Sequence, residues 1–229
     1  VADAVSEAIR SLPGSANRGG LKEKDDMWAC RSHLAELMQV TNPSRISLGA
    51  NATYALNEAI QGFPFRRGDV VLTTMAEHNA VLRPLYRLEK RGIIRTVFVP
   101  VERDGRINPS TWWDYLERYH PRMAVFIHAS NVTGAVNDAQ TLTRLAKERH
   151  AAVVLDAAQS LGVVPVLPEA WGVLGDVRDP ASLAPTGPKP VMVSYEDARI
   201  QWVIASQKVS QLVCVTPVQL DQLADAGPT

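Results

Sequence analysis

Four polar clusters in the 229-residue chain have the residue types that chemistry needs, and each directly follows a short apolar run. Asp156 ends Ala151-Ala-Val-Val-Leu155 and is followed by two alanines and Gln159. His128-Ala-Ser-Asn131-Val-Thr-Gly134 follows Met123-Ala-Val-Phe-Ile127. Glu77-His78-Asn79 lies just after Val70-Val-Leu-Thr-Thr74, and Asn51-Ala52-Thr53 comes after Arg45-Ile-Ser-Leu-Gly49. A carboxylate delivered at the end of a buried strand can pair with a cation in a ligand crevice, or simply cap the next helix. A histidine in the same place can lie over a ring, move a proton, or serve as a polar cap. Small and capping residues that open a helix aim its free N–H groups and the positive end of its dipole at one point. There the anion site and the ordinary N-cap are both open, with Asn51 or Thr53 as the cap.

The elements that would position these residues alternate. Helices are predicted over Val1–Leu12, Asp25–Val40, Ala50–Ile60, the segment after Asn79 through Leu88, the segment capped at Asn108–Thr111 through Tyr119, and Asp138–Arg149. In the second of these Met27, Cys30, Leu34, Leu37 and Met38 make the apolar stripe; in the last, Leu142, Leu145 and Ala146 face inward. Strands are predicted at Arg45–Gly49, Val70–Thr74, Arg95–Val101, Met123–Ile127 and Ala151–Leu155, with the Pro100 strand nearer an edge. Alternating helices and apolar strands predict an α/β fold: a mostly parallel sheet sandwiched by helices. Right-handed crossovers then set all strand carboxyl ends along one edge, so His78, Asn131 and Asp156 are expected to share one crevice.

Composition excludes other classes. Twenty-four Lys and Arg balance twenty-four Asp and Glu, which gives no electrostatic case for nucleic acid or an acidic membrane surface. No apolar run reaches membrane-spanning length. Cys30 and Cys214 lie far apart, each in an apolar setting, so they read as packing and not as a disulfide or metal framework. Two cysteines without a pattern suit a reducing, cytoplasmic setting. Neither GxGxxG nor GxxxxGK[ST] occurs, against a nucleotide-binding fold of either type. The first residue is Val1, and the chain is expected to begin inside a longer protein.

Five motifs come in the order and at about the spacing of the class V aminotransferases: Ser15-Ala-Asn-Arg-Gly-Gly20, Asn51-Ala-Thr-Tyr-Ala-Leu-Asn57, Glu77-His-Asn-Ala-Val-Leu-Arg-Pro-Leu85, His128–Gly134 and Leu155-Asp-Ala-Ala-Gln-Ser-Leu-Gly-Val163. More narrowly, the chain resembles the cysteine desulfurase and selenocysteine lyase branch of the fold-type I pyridoxal 5′-phosphate (PLP) enzymes. The resemblance runs to about Val173. It implies a large PLP-binding domain over residues 1–173, entered after the family's opening strand, followed by a divergent tail over 174–229. It implies that Ala52 and Thr53 bind the cofactor phosphate, that His78 stacks on the ring and relays protons, and that Asn131 and Gln159 lie beside the phenolic oxygen. Asp156 would pair with the ring nitrogen. It also implies a small amino-acid substrate and a homodimer whose sites borrow residues from the partner.

The tail departs from the family. The cofactor lysine is expected one strand after the Asp strand, in a Ser/Thr-Gly-His-Lys motif. Here a Pro-rich stretch follows Val173 instead, and the candidates are Lys189, in Thr186-Gly-Pro-Lys189, and Lys208, after Trp202-Val-Ile-Ala-Ser-Gln207. Neither repeats the motif. Two readings follow: a PLP-dependent lyase or transferase with its lysine in an unusual place, or a non-catalytic remnant with a replaced or out-of-frame tail that keeps the fold and a dimer surface.

Overall fold

The computed structural model describes residues 26–46, 48, 51–173 and 202–204. The predicted helix over 1–12, the loop over 15–20, and both Lys189 and Lys208 lie outside these residues.

Five parallel strands form one sheet in the order β2-β1-β3-β4-β5: β1 Asp69–Thr74, β2 Ile94–Val99, β3 Met123–Ile127, β4 Ala152–Asp156 and β5 Trp202–Ile204. Every residue of β3 and β4 is buried. That is why these segments read as unbroken apolar runs: a parallel strand covered on both faces has no solvent side to mark with polar residues. β2 stands at an edge, with exposed Arg95 and Phe98 and Pro100 just past its end, where a missing N–H costs the ladder nothing.

The helices cover both faces. Two precede β1, α1 Asp26–Leu37 and α2 Ala52–Gln61; three lie between strands, α3 Asn79–Lys90, α4 Pro109–Tyr119 and α5 Ala139–Glu148. Their starts are capped locally. Asn108 accepts from the N–H groups of Ser110 and Thr111, ahead of Pro109, and Asp138 accepts from Thr141. Strand residues sort by parity. Met123 and Val125 join Leu56, Ile60, Val81 and Leu85 in the layer under α2 and α3. Ala124 and Phe126 join Trp112, Leu116, Leu142 and Ala146 under α4 and α5. A third cluster holds α1 through Cys30, Leu34 and Met38 against Ala157, Leu161 and Val166.

Two local expectations are corrected. Pro43–Arg45 is a 3-10 helix, closed by Arg45 N–H to Asn42 O and Ile46 N–H to Pro43 O, so Arg45 does not open the strand expected over Arg45–Gly49, of which Ser47 and Gly49 lie outside the described residues. Asn-Pro favours the turn. The apolar alternation of Ile46 and Leu48 marks packing on the third cluster and not strand pairing. Leu37, predicted in the α1 stripe, is 48% exposed. The buried face is centred between Leu34 and Met38, and at 100° per residue Leu37 lies roughly a quarter-turn away.

The last strand, β5, lies parallel to β4 with Ile204 opposite Asp156.

Candidate functional site

All five strands run the same way, so their carboxyl ends share one edge. α2 precedes β1 through a short connection and therefore runs back across the sheet, starting at that same edge. Asn51, Ala52 and Thr53 thus stand on the side where β1, β3 and β4 end.

At the start of α2 the cap is Asn51: its side-chain oxygen accepts the Tyr54 N–H at 2.8 Å. Ala52 is buried and Thr53 exposed.

His78 follows β1 and caps α3, with Nδ1 accepting the Ala80 N–H at 3.1 Å. That bond assigns the proton of a neutral ring to Nε2. His78 is exposed, and a charge on its ring would draw the Asp156 carboxyl downward. Of the alternatives open from the sequence, the cap is the one present.

Asp156 is the last residue of β4 and is 2% exposed. Its Oδ1 accepts the Ala158 N–H at 2.9 Å, and its carbonyl accepts the N–H of His128. Burial raises its pKa above the ordinary carboxylate value, against the Ala158 hydrogen bond and the His78 charge. A carboxylate in this state is under-compensated. A cationic or N–H-bearing group brought to it would offset the cost of its burial.

His128 is buried at the end of β3. Its Nδ1 lies 2.8 Å from Ser160 Oγ, its ring meets Trp171 edge-on at 5.3 Å, and burial lowers its pKa. It ties the ends of β3 and β4 to the turn beyond Asp156.

Asn131 stands exposed on the turn that follows. Ser130 Oγ accepts the N–H groups of Val132 and Thr133, and Gly134 N–H returns to Ser130 O. This turn rests on Gly105, whose φ is +89° and where an added Cβ would meet Thr133 Oγ1 at 2.6 Å. Gly105→Ala is therefore expected to destabilise the chain by about 1–3 kcal/mol, read by urea unfolding, through left-handed strain and displacement of Thr133. Gln159 is exposed in the turn after β4.

The structure thus sets His78 within electrostatic influence of Asp156, and places Ala52, Thr53, Asn131 and Gln159 along the same edge. Sequence reasoning passed over Glu77 as a residue with its own part. It is 8% exposed, and its pKa is pushed up to about 8, mainly by burial and further by the charge of Asp156. Two carboxyls three residues past one strand and at the end of another carry no local signature. Only the sheet order makes them neighbours. Among the described residues no group of three or more His, Cys, Asp or Glu could hold a metal ion, and no helix is long and apolar enough to cross a membrane.

A parallel sheet between two helical layers, with its polar groups gathered at the strands' carboxyl ends, defines an α/β protein of the kind that presents its chemistry at that edge. The family model for class-V aminotransferases matches residues 1–174, and the chain belongs to that family. It is 29% identical over 186 residues to the cysteine desulfurase IscS of Dictyoglomus turgidum, covering 80% of this chain and 46% of that protein. With IscS of Anaeromyxobacter dehalogenans it shares 31% over 179 residues, 77% of this chain and 43% of the other. The chain thus spans less than half the length of these relatives. The apo cysteine desulfurase of Thermococcus onnurineus NA1 has the same fold, with a TM-score of 0.71 at 18% identity over 99% of this chain and 64% of that one. An alanine–glyoxylate aminotransferase from Nostoc superposes at 0.59 with 26% identity, over 74% and 44%.

Proposed function

We propose that residues 1–173 are the core of a PLP-binding large domain of the cysteine desulfurase-like kind, acting on a small amino acid, with residues 174–229 a divergent tail. The observation that carries this reading is Asp156: a buried, under-compensated carboxylate at a strand's carboxyl end, within electrostatic reach of His78. When bound, PLP supplies an electron sink for a carbanion next to the substrate nitrogen.

The chain's own residues then have these parts. Asp156 pairs with the protonated ring nitrogen and keeps it protonated. His78 would stack on the ring and could hold or pass a proton at Nε2 while Nδ1 stays on the α3 cap. Ala52, through its backbone, and Thr53 hold the phosphate at the start of α2. Asn131 and Gln159 serve the phenolic oxygen. Exposed Met75, Val132 and Val163 follow the ends of β1, β3 and β4. They support a covering partner subunit, as in a homodimer. Balanced charge and two unpatterned cysteines suit a cytoplasmic protein.

For the cofactor lysine, the sheet favours Lys208 over Lys189. Ile204 is opposite Asp156 in the parallel β4–β5 pair, so the chain leaves β5 at the edge where Asp156 stands, four residues before Lys208. Lys189 precedes β5. The test is to mix the protein with PLP, record the visible spectrum, reduce with borohydride and map pyridoxyl-lysine by mass spectrometry. The label is expected on Lys208, and its loss in Lys208→Ala confirms the assignment. The family match ends at residue 174, ahead of both lysines, which favours a second reading, the non-catalytic remnant. No label on any lysine and no absorbance band would establish it.

A further inference from the structure

Glu77 has no part in the reading above, yet it sits where the sheet divides. β1 and β3 pair at Val71–Met123 and Leu72–Ala124 and no further. Beyond that point β1 continues with β2 to Thr74–Val99, and β3 continues with β4 to Ile127–Asp156. A fork therefore opens between β1 and β3 at their carboxyl ends. It is also where the connections change direction across the sheet, since β2 lies on one side of β1 and β3 on the other. In the fork, Ile127 N–H has lost the strand that would have accepted it. Glu77 replaces that strand: its Oε1 accepts the Ile127 N–H at 3.1 Å and the Thr74 hydroxyl at 2.5 Å. Its other oxygen, Oε2, is buried with no hydrogen-bond partner.

We propose that Glu77 is a positioning residue, a clasp across the β1–β3 fork that holds His78, its neighbour in sequence, at the distance from Asp156 that ligand binding requires. The clasp works as a neutral acid. Burial and the charge of Asp156 raise its pKa to about 8, against the Thr74 and Ile127 hydrogen bonds. The titratable groups at the surrounding strand ends are His78, His128 and Asp156. Asp156 acts on Glu77, and His78 acts on Asp156. With its pKa raised to about 8, Glu77 holds its proton at pH 7 and adds no second negative charge beside Asp156 there.

Binding of PLP in the test below rests on the proposed function; the clasp itself does not. The full chain is compared with Glu77→Gln and Glu77→Ala in three measurements. The first is melting temperature against pH without cofactor. The folded pKa of Glu77 is raised above its ordinary 4.5. The folded state thus keeps a proton that the unfolded chain has lost, and stability falls as pH rises from about 4.5 to about 8. Gln accepts the same two bonds and never ionises, so the wild-type Tm is expected to fall relative to Glu77→Gln across that window and then level off. Asp156 is present in both proteins, so only its coupling to Glu77 differs between them. The second is the rate at which diethyl pyrocarbonate modifies His78, mapped by mass spectrometry. It is expected to be unchanged in Gln and altered at least about threefold in Ala. The third is PLP affinity at pH 7, expected within about threefold of wild type for Gln and weakened more than about tenfold for Ala, since a 1.4 kcal/mol change is tenfold. A Tm difference between wild type and Gln that does not change with pH overturns the proposal, as does a His78 rate in Ala equal to wild type. If wild type binds no PLP, the proposed function fails while the first two measurements still decide the clasp. If Ala does not fold, the Gln comparison decides it.

Discussion

Asp156→Asn is expected to abolish tight PLP binding while making the cofactor-free protein more stable. Asn keeps the acceptor for the Ala158 N–H and the shape of the side chain, but it cannot pair with a protonated ring nitrogen. Removing one partner of a buried, hydrogen-bonded charge pair costs about 2–5 kcal/mol, or roughly 30- to several-thousand-fold in Kd. The stability change has the opposite sign. Burial raises the folded pKa of Asp156 above its unfolded value, so the carboxylate's contribution to stability declines as pH rises through that interval. Asn carries no such slope. The variant should therefore melt above wild type at pH 7–8, and the two should converge in acid, where Asp156 is protonated in both states. Loss of the attraction to His78 works against this gain, but burial is the larger cause. Titration of PLP fluorescence and calorimetric melts from pH 4 to 8 test both halves. Wild-type affinity in the variant, or a lower melt at pH 8, would remove Asp156 from the role assigned to it.

Trp112→Ala is expected to bring the chain close to global unfolding. Trp112 on α4 is fully buried. Its ring meets Phe126 of β3 edge-on, with centroids 5.5 Å apart at 73°, and its Nε1 donates to Leu142 O of α5 at 3.1 Å. One side chain thus joins two helices to the central strand. Trp→Ala in a core costs about 3–5 kcal/mol through lost burial and the cavity left behind. Against a total of about 5–15 kcal/mol for a domain, that is between about a fifth of the margin and all of it. Far-UV circular dichroism in urea should show the midpoint lowered with the slope unchanged. Trp112→Phe keeps an aromatic edge against Phe126 and loses the Leu142 bond, for about 1–2 kcal/mol. An Ala variant within about 1 kcal/mol of wild type would mean that α4 does not depend on this contact.

Residues buried on both faces, such as Met123–Ile127 and Ala152–Asp156, were legible because the parallel sheet leaves an unbroken apolar run. The caps were legible for an equally local reason: Asn51, Asn108 and Asp138 bind N–H groups two or three residues away. The segment at Arg45 was misread because alternation records burial and not pairing. Ile46 and Leu48 are partly buried on a helix cluster, with no strand beside them among the described residues.

By itself, then, the sequence determined the alternation of helix and parallel strand, the family, and the edge on which His78, Asn131 and Asp156 lie. These follow from periodicity, capping and chain direction, all of which act over a few residues. Tertiary structure alone decided that β1 and β3 part after Leu72–Ala124 and that β5 follows β4. It also decided that Glu77 closes the fork and that Asp156 lies deep enough for burial to resist its charge. A pKa and a clasp depend on which groups exclude water from one another. Those groups lie fifty residues apart in Glu77 and Ile127, a distance that no local pattern spans.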